Sequence, residues 1–187
     1  MAASSYASSM TAFFQSTTAF AVYPAKKVGD TWQWTITQKN LTINVQAKKD
    51  QSGNVQWQST YNGEDEQGNK FNNALVWKGN LTNDGKIGKL EFFNPETGML
   101  ENIFSYSIDS QQKKTGTVEE VDDVGVVINK AVLINNTDGS GSLDTYEFDE
   151  NQNKLYKSGH IEWFGNGSGK WYEYDTNGLV TASGSWT

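Results

Sequence analysis

The feature that most constrains the fold is the spacing of apolar residues, which changes near Thr31 to every second position and keeps that period along the rest of the chain. Apolar residues alternate with uncharged polar residues, so an extended segment carries one apolar face and one polar face. This pattern is typical of antiparallel strands that are buried on one face and solvated on the other. The clearest apolar sets are Trp32, Trp34 and Ile36, then Leu41, Ile43 and Val45, then Val55, Trp57 and Tyr61.

Turn sequences separate these segments at short intervals. They combine Asn, Asp and Gly, which adopt the backbone conformations that tight hairpins require. Their spacing predicts about ten to twelve strands that follow one another along the chain as an antiparallel meander. The predicted turns lie at 50–53, 62–63, 67–69, 83–85, 97–98, 138–139 and 177–178.

The first part of the chain follows a different pattern. Residues 3–22 are rich in Ala, Ser, Thr and Phe, and they contain no Gly or Pro. Large apolar residues recur there at helical spacings, which predicts an amphipathic helix that ends before Pro24 and Gly29. Its apolar stripe consists of Tyr6, Met10, Phe13, Phe14 and Phe20.

A sheet with one apolar face must close on itself or pack against another element. We therefore expect a mainly β (α+β) protein, a strongly curved or barrel-like antiparallel meander over 31–187, with the N-terminal helix 3–22 packed on its apolar face. The alternative is a two-sheet sandwich with the helix outside. The length of 187 residues predicts a single domain, 1–187.

Three stretches share one pattern and predict hairpin repeats at about 85–108, 139–164 and 167–187. Each begins with a Gly-containing strand with aromatic residues at its centre. An acidic or Asn-containing turn and a returning strand follow. A single hairpin cannot bury its own face and must be stacked beside others.

The last repeat contains the pattern G-x-W-x-x-Y-x-x-N-G-x-L, from Gly169 and Trp171 through Tyr174 to Asn177, Gly178 and Leu179. It resembles MORN-type hairpin repeats, particularly the variant in bacterial YwqK-like antitoxin proteins. The chain as a whole is similar to Gly/Trp/Asn-rich lipoproteins of Bacteroidetes-type bacteria. The resemblance implies placement at the cell surface or in the periplasm, and it supplies no catalytic residues.

Composition excludes several kinds of chemistry. The chain has no Cys and no Arg, and a single His, so thiolate sites, arginine clamps and two-histidine metal sites cannot be built. The formal charge of −7 disfavours nucleic acid, which binds clustered cationic side chains. No apolar run is long enough to span a bilayer. We predict no cofactor, no metal site and no transmembrane segment.

The remaining candidates for chemistry are one histidine, clustered carboxylates and exposed aromatic rings. Alternation places His160 and Glu162 opposite Ile161 and Trp163, which is typical of a strand histidine. Acidic residues cluster at 64–66, 119–123 and 144–150, and a facing pair could hydrolyse a glycoside. Aromatic residues fall on both faces of the repeat strands, so some must be exposed or covered by a partner; the alternative is that they pack in the core. The candidate binding residues are Phe92, Phe93, His160, Trp163, Trp171, Tyr172 and Tyr174.

These features favour a non-enzymatic binding or scaffolding protein that contacts a protein or a cell-surface component. A large Ser/Thr/Asn/Gln content without Cys favours an extracytoplasmic location, with a signal sequence upstream of residue 1. The alternative is a barrel that binds a glycan or an apolar small molecule through Trp and Tyr. A carboxylate-based glycan hydrolase is a third hypothesis. The sequence leaves the oligomeric state open.

Overall fold

The computed structural model describes residues 23–187, which form thirteen antiparallel strands and, within that range, no helix. The strands lie in the sheet in chain order, from β1 to β13. The described residues include no helix of the length and apolarity needed to cross a bilayer. The strands are β1 Lys26–Val28, β2 Thr31–Gln38, β3 Leu41–Lys49, β4 Val55–Glu64, β5 Lys70–Leu81, β6 Ile87–Phe93, β7 Leu100–Ile108, β8 Lys114–Val121, β9 Val127–Asn135, β10 Gly141–Asp149, β11 Lys154–Trp163, β12 Gly169–Tyr174 and β13 Val180–Trp186.

The predicted antiparallel meander is confirmed, with one strand more than expected. The additional strand is β1, which pairs with β2 through Lys27 and Trp32. β1 and β13 lie at the two ends of the strand order, so the sheet is open and does not form a closed barrel. The predicted helix 3–22 lies outside the described residues. The single-domain assignment stays a prediction.

The described chain divides into two compact units. The first comprises 23–83 and 92–99. Its apolar centre is built around one row of directly opposed residues on the neighbouring strands β2, β3, β4 and β5. That row joins Trp34 to Val45, Val45 to Ser59, and Ser59 to Trp77. Val45 is fully buried, and the Trp34 and Trp57 rings stack with their centroids 5.7 Å apart. Aromatic side chains therefore cover the aliphatic centre of this unit.

The second unit comprises 84–91 and 100–187. Its buried apolar residues are few and of small or medium size, namely Leu90, Val118, Val121 and Ala131. Large aromatic rings instead lie close to glycines of neighbouring strands, where an added Cβ would collide with them. The pairs are Trp163 with Gly141, Trp171 with Gly184, Trp186 with Gly169 and Tyr106 with Gly88. Strand glycines are therefore needed in these repeats because an aromatic ring occupies the space above each of them.

One turn design recurs between the strands. An Asp at the end of a strand accepts backbone N–H groups from the residues two and four positions later, which fixes the loop before the next strand begins. The residue three positions after the Asp has a positive φ and is Gly in four of these five turns. The turns begin at Asp50, Asp65, Asp109, Asp122 and Asp175.

Candidate functional site

Three neighbouring strands of the second unit bring a carboxylate, an imidazole and a phenol into one row. Asp144 of β10 lies directly opposite His160 of β11, and His160 lies directly opposite Tyr172 of β12. Directly opposed residues of antiparallel strands point to the same face of the sheet. The Nδ1 atom of His160 lies 2.5 Å from Oδ1 of Asp144. We call Asp144, Lys157, His160, Tyr172 and Tyr174 the His160 cluster.

Lys157 joins this face because of a bulge in β11. The pairing of β10 with β11 shifts after Thr145, so that Tyr146 lies opposite Lys157. The extra residue is Ser158, whose hydroxyl lies 3.2 Å from that of Thr145. A Cβ on the adjacent Gly159 would lie 2.6 Å from the Thr145 hydroxyl, so glycine is needed there. The bulge thereby places Lys157 on the same face as His160 although the two are three positions apart.

Two donors converge on one carboxylate oxygen. Lys157 Nζ donates to Asp144 Oδ1 at 2.7 Å, and Nζ lies 3.4 Å from His160 Nδ1. Because an ionised carboxylate only accepts hydrogen bonds, the contact with Asp144 requires Nδ1 to be the imidazole nitrogen that carries the proton, and Lys157 then donates to Asp144 rather than to His160. In the neutral imidazole, Nε2 is therefore the acceptor.

The Asp144 carboxyl is held ionised by this arrangement. Partial burial pushes its pKa upward, but the hydrogen bonds from Lys157 and His160 outweigh burial, and the pKa lies below the ordinary aspartate value of 3.8. The ammonium and the carboxylate balance each other in charge. The cluster is therefore close to electrically neutral when His160 is neutral.

Aromatic rings extend the cluster along β12. The ring centroids of His160 and Tyr172 lie 6.0 Å apart, and those of Tyr172 and Tyr174 lie 6.5 Å apart with nearly parallel planes. The Lys157 ammonium lies 5.8 Å from the Tyr174 centroid, within the range of a cation–π contact. The side chains of Lys157, His160 and Asp144 keep 35%, 20% and 22% of their surface exposed. A partner on this face can therefore reach rings, an ammonium and a carboxylate together.

The structure separates the remaining predicted residues from this cluster. Trp163 and Trp171 lie on the opposite face, against Gly141 and Gly184. Phe92 and Phe93 lie in β6 and belong to the first unit. There the Phe93 centroid lies 5.1 Å from the Lys78 ammonium. Three of the seven predicted residues, His160, Tyr172 and Tyr174, thus come together in the cluster.

Sequence reasoning missed Asp144 and Lys157 as members of the site. Asp144 is sixteen positions from His160, and only the register of β10 on β11 brings the two together. For Lys157, strict alternation predicts the face opposite His160, because the bulge is not visible in the pattern. The Lys157-Ser-Gly-His160 sequence contains the one available signal, a glycine inside a strand, which often marks a bulge.

Of the acidic clusters, 144–150 supplies Asp144 to the His160 cluster, and carboxylates of 119–123 lie elsewhere. Several line an open groove of about 620 Å³ beside the β8–β9 turn, together with apolar side chains. Among residues 23–187, no group of His, Cys, Asp and Glu has an arrangement that could hold a metal ion. The groove residues are Glu101, Asn102, Glu120, Val121, Asp122, Asp123, Val124 and Ile128.

Comparison with known proteins adds little to this geometry. The chain matches no protein-family model and no curated protein. Among solved structures it is similar to a protein with unknown function from Bacteroides fragilis, at 12% identity and a TM-score of 0.33. The likeness covers 62% of this chain and 86% of that chain. A likeness at this level carries no functional argument.

Proposed function

We propose that this protein is a non-enzymatic, extracytoplasmic binding or scaffolding protein of the surface or periplasmic lipoprotein-like kind. It contacts a protein or another cell-surface component through the face that carries the His160 cluster. The observation that supports this most strongly is the continuous row of partly exposed rings from His160 through Tyr172 to Tyr174. Rings that keep a polar tip in water are favoured at recognition surfaces because they bury a large area at small entropic cost.

The charges of the cluster support a recognition role over a reactive one. His160 is oriented by Asp144, and among residues 23–187 the side chains within hydrogen-bond distance of its Nδ1 atom are those of Asp144 and Lys157. Neither is a hydroxyl or thiol that the imidazole could activate as a nucleophile. The Asp144–Lys157 pair instead holds the imidazole and the ammonium in fixed positions. A fixed set of donors and acceptors beside aromatic rings favours hydrogen-bonded recognition of a partner.

A glycan is the second candidate partner. The specific observation in its favour is that hydroxyl-bearing rings lie beside an imidazole, an ammonium and a carboxylate with little net charge. Sugars present both C–H faces, which contact rings, and hydroxyls, which exchange hydrogen bonds with such groups. The open sheet offers a surface for this contact rather than the enclosed cavity of a barrel.

The proposal is tested by adding the fluorescently labelled full chain to intact cells of the source species. Cells are left untreated, digested with protease, or oxidised with periodate, which destroys glycans. Saturable binding that protease abolishes identifies a protein partner, and binding that periodate abolishes identifies a glycan. Absence of saturable binding to untreated cells and to isolated envelopes contradicts the proposed function.

The location is tested separately on the same cells. Fractionation followed by immunoblotting should place the protein with the envelope or the outer surface. Recovery in the cytoplasmic fraction, with a cytoplasmic enzyme as the marker, would contradict the extracytoplasmic assignment while leaving the binding experiment unaffected.

A further inference from the structure

We propose that the outer edge of β13 pairs with β13 of a second copy of this chain, antiparallel about a two-fold axis at Ser183. β13 is the last strand in the sheet, and within residues 23–187 it pairs with β12 alone. The backbone N–H and C=O groups of alternate residues on its other flank therefore face outward, which is the template for adding a strand.

The two ends of the sheet differ in how they are protected. β1 has three residues, two of which are lysines, and all three are exposed. Short, lysine-rich strands resist edge-to-edge association because pairing would bring the charges together. β13 has seven residues, Val180–Trp186, and none of them is charged or proline. The unprotected edge is therefore β13, and the protected one is β1.

The sequence of β13 is self-complementary about Ser183. An antiparallel pair centred there places Ser183 opposite Ser183 of the second copy and Ala182 opposite Gly184 of the second copy. These are small side chains, which allow two backbones to approach to about 4.8 Å. The register shift between β12 and β13 lies next to Val180, so the regular stretch that a pair centred at Ser183 shares is 182–184. In a two-fold interface every contact between two different residues occurs twice, so the same patch of small side chains must fit against itself.

The same pairing would extend the binding face. Ser183 lies directly opposite Tyr172 in the β12–β13 pair, and Tyr172 lies opposite His160. A two-fold axis perpendicular to the sheet keeps this face on the same side in both copies. The row His160–Tyr172–Ser183 then continues into the second copy, and the two Tyr172 positions lie three strand spacings apart, about 14 Å. The dimer therefore presents two His160 clusters side by side.

The absence of cysteine from the chain makes single-cysteine variants of the full chain a direct test. Ser183→Cys should form a disulfide-linked dimer under mild oxidation, since its own symmetry mate lies within disulfide range. Ser185→Cys is the matched control, because its symmetry mate lies four residues along the strand, about 14 Å away. Cross-linking of Ser185→Cys to the same extent as Ser183→Cys would overturn the proposed axis.

The solution mass gives the second readout. Light scattering after gel filtration should show the wild-type chain at twice its mass of 20.8 kDa, shifting toward monomer on dilution. Ser183→Lys should be monomeric. Ser107→Lys, which adds the same charge at an exposed position of the interior strand β7, should remain dimeric. A wild-type chain that stays monomeric at millimolar concentration, or a Ser183→Lys chain that stays dimeric, refutes the interface.

Discussion

Replacing Asp144 with Asn tests the arrangement on which the His160 cluster depends. The substitution keeps the shape of the side chain but removes the charge that attracts both Lys157 and His160. Hydrogen bonds to charged groups contribute about 1.5–3 kcal/mol each to stability. The Asn oxygen still accepts one bond, and Lys157 is partly exposed to water, so the lower end of that range applies. We expect Asp144→Asn to lower the free energy of unfolding by about 1–2 kcal/mol, which lowers Tm by about 3–6 °C.

The loss should depend on pH in one direction. The pKa of Asp144 is lower in the folded chain than the ordinary value of 3.8, so its contribution is fully present above the unfolded pKa. It is lost as the pH falls through the lower, folded pKa. The difference in unfolding free energy between wild type and Asp144→Asn should therefore be full at pH 6–7 and should shrink below about pH 3.9.

The assay is urea unfolding followed by tryptophan fluorescence at pH 7 and pH 3. Asp123→Asn is the matched control, because Asp123 is exposed in the β8–β9 turn, and it should leave the midpoint unchanged. A double-mutant cycle with Lys157→Met should give a coupling free energy above about 0.5 kcal/mol. Equal stability of wild type and Asp144→Asn at pH 7, or a difference that is as large at pH 3 as at pH 7, would refute the proposed electrostatic role.

Three further predictions concern the sheet itself. Gly141→Val should destabilise the chain by about 1–3 kcal/mol, because the added atoms meet the Trp163 ring and the Ile134 carbonyl; an unchanged urea midpoint contradicts the proposed packing. Asp122→Ala should cost about 1 kcal/mol, since Asp122 Oδ1 accepts the N–H groups of Val124 and Val126 at 3.0 and 2.8 Å. Asp123→Ala is the control, and an equal loss there refutes the turn assignment. Burial raises the pKa of Tyr61 above its ordinary value of 10.0. The phenolate absorbance that Tyr61→Phe removes should therefore appear above pH 10, and its appearance at lower pH contradicts that burial.

The alternation of residues predicted the meander because the side-chain period of an extended strand is a local property. Trp34 and Val45, for example, fall on the apolar face that the pattern assigns to them. The three-residue strand β1 was not predicted because Lys26 and Lys27 are both charged, so the segment shows no alternation of apolar and polar residues. The need to cover an apolar face suggested a barrel-like sheet but did not decide whether the sheet closes, and the structure shows that it does not. In the second unit, rings such as Trp163 and Trp171 cover part of that face from within the sheet by lying over glycines.

The candidate site was predictable only in part, because alternation along one strand is local but pairing between strands is not. Alternation correctly placed His160 opposite Ile161 and Trp163 in the strand. The partners of His160 depend on cross-strand register, which a single sequence does not contain. Asp144 required the β10–β11 register, and Lys157 required the bulge at Ser158. Both are long-range features of the fold rather than of any local pattern.

The central claim is that the protein binds its partner through the face that carries the His160 cluster. The most direct measurement is the affinity of labelled protein for intact source cells, compared between wild type and the double variant Tyr172→Ser/Tyr174→Ser. Tyr156→Ser is the control, because Tyr156 lies on the opposite face of β11, where its hydroxyl donates a hydrogen bond to the Glu147 carboxylate at 3.1 Å. We predict at least a tenfold weaker affinity for the double variant, about 1.4 kcal/mol, and wild-type affinity for the control. Equal affinity of wild type and the folded double variant would contradict the claim.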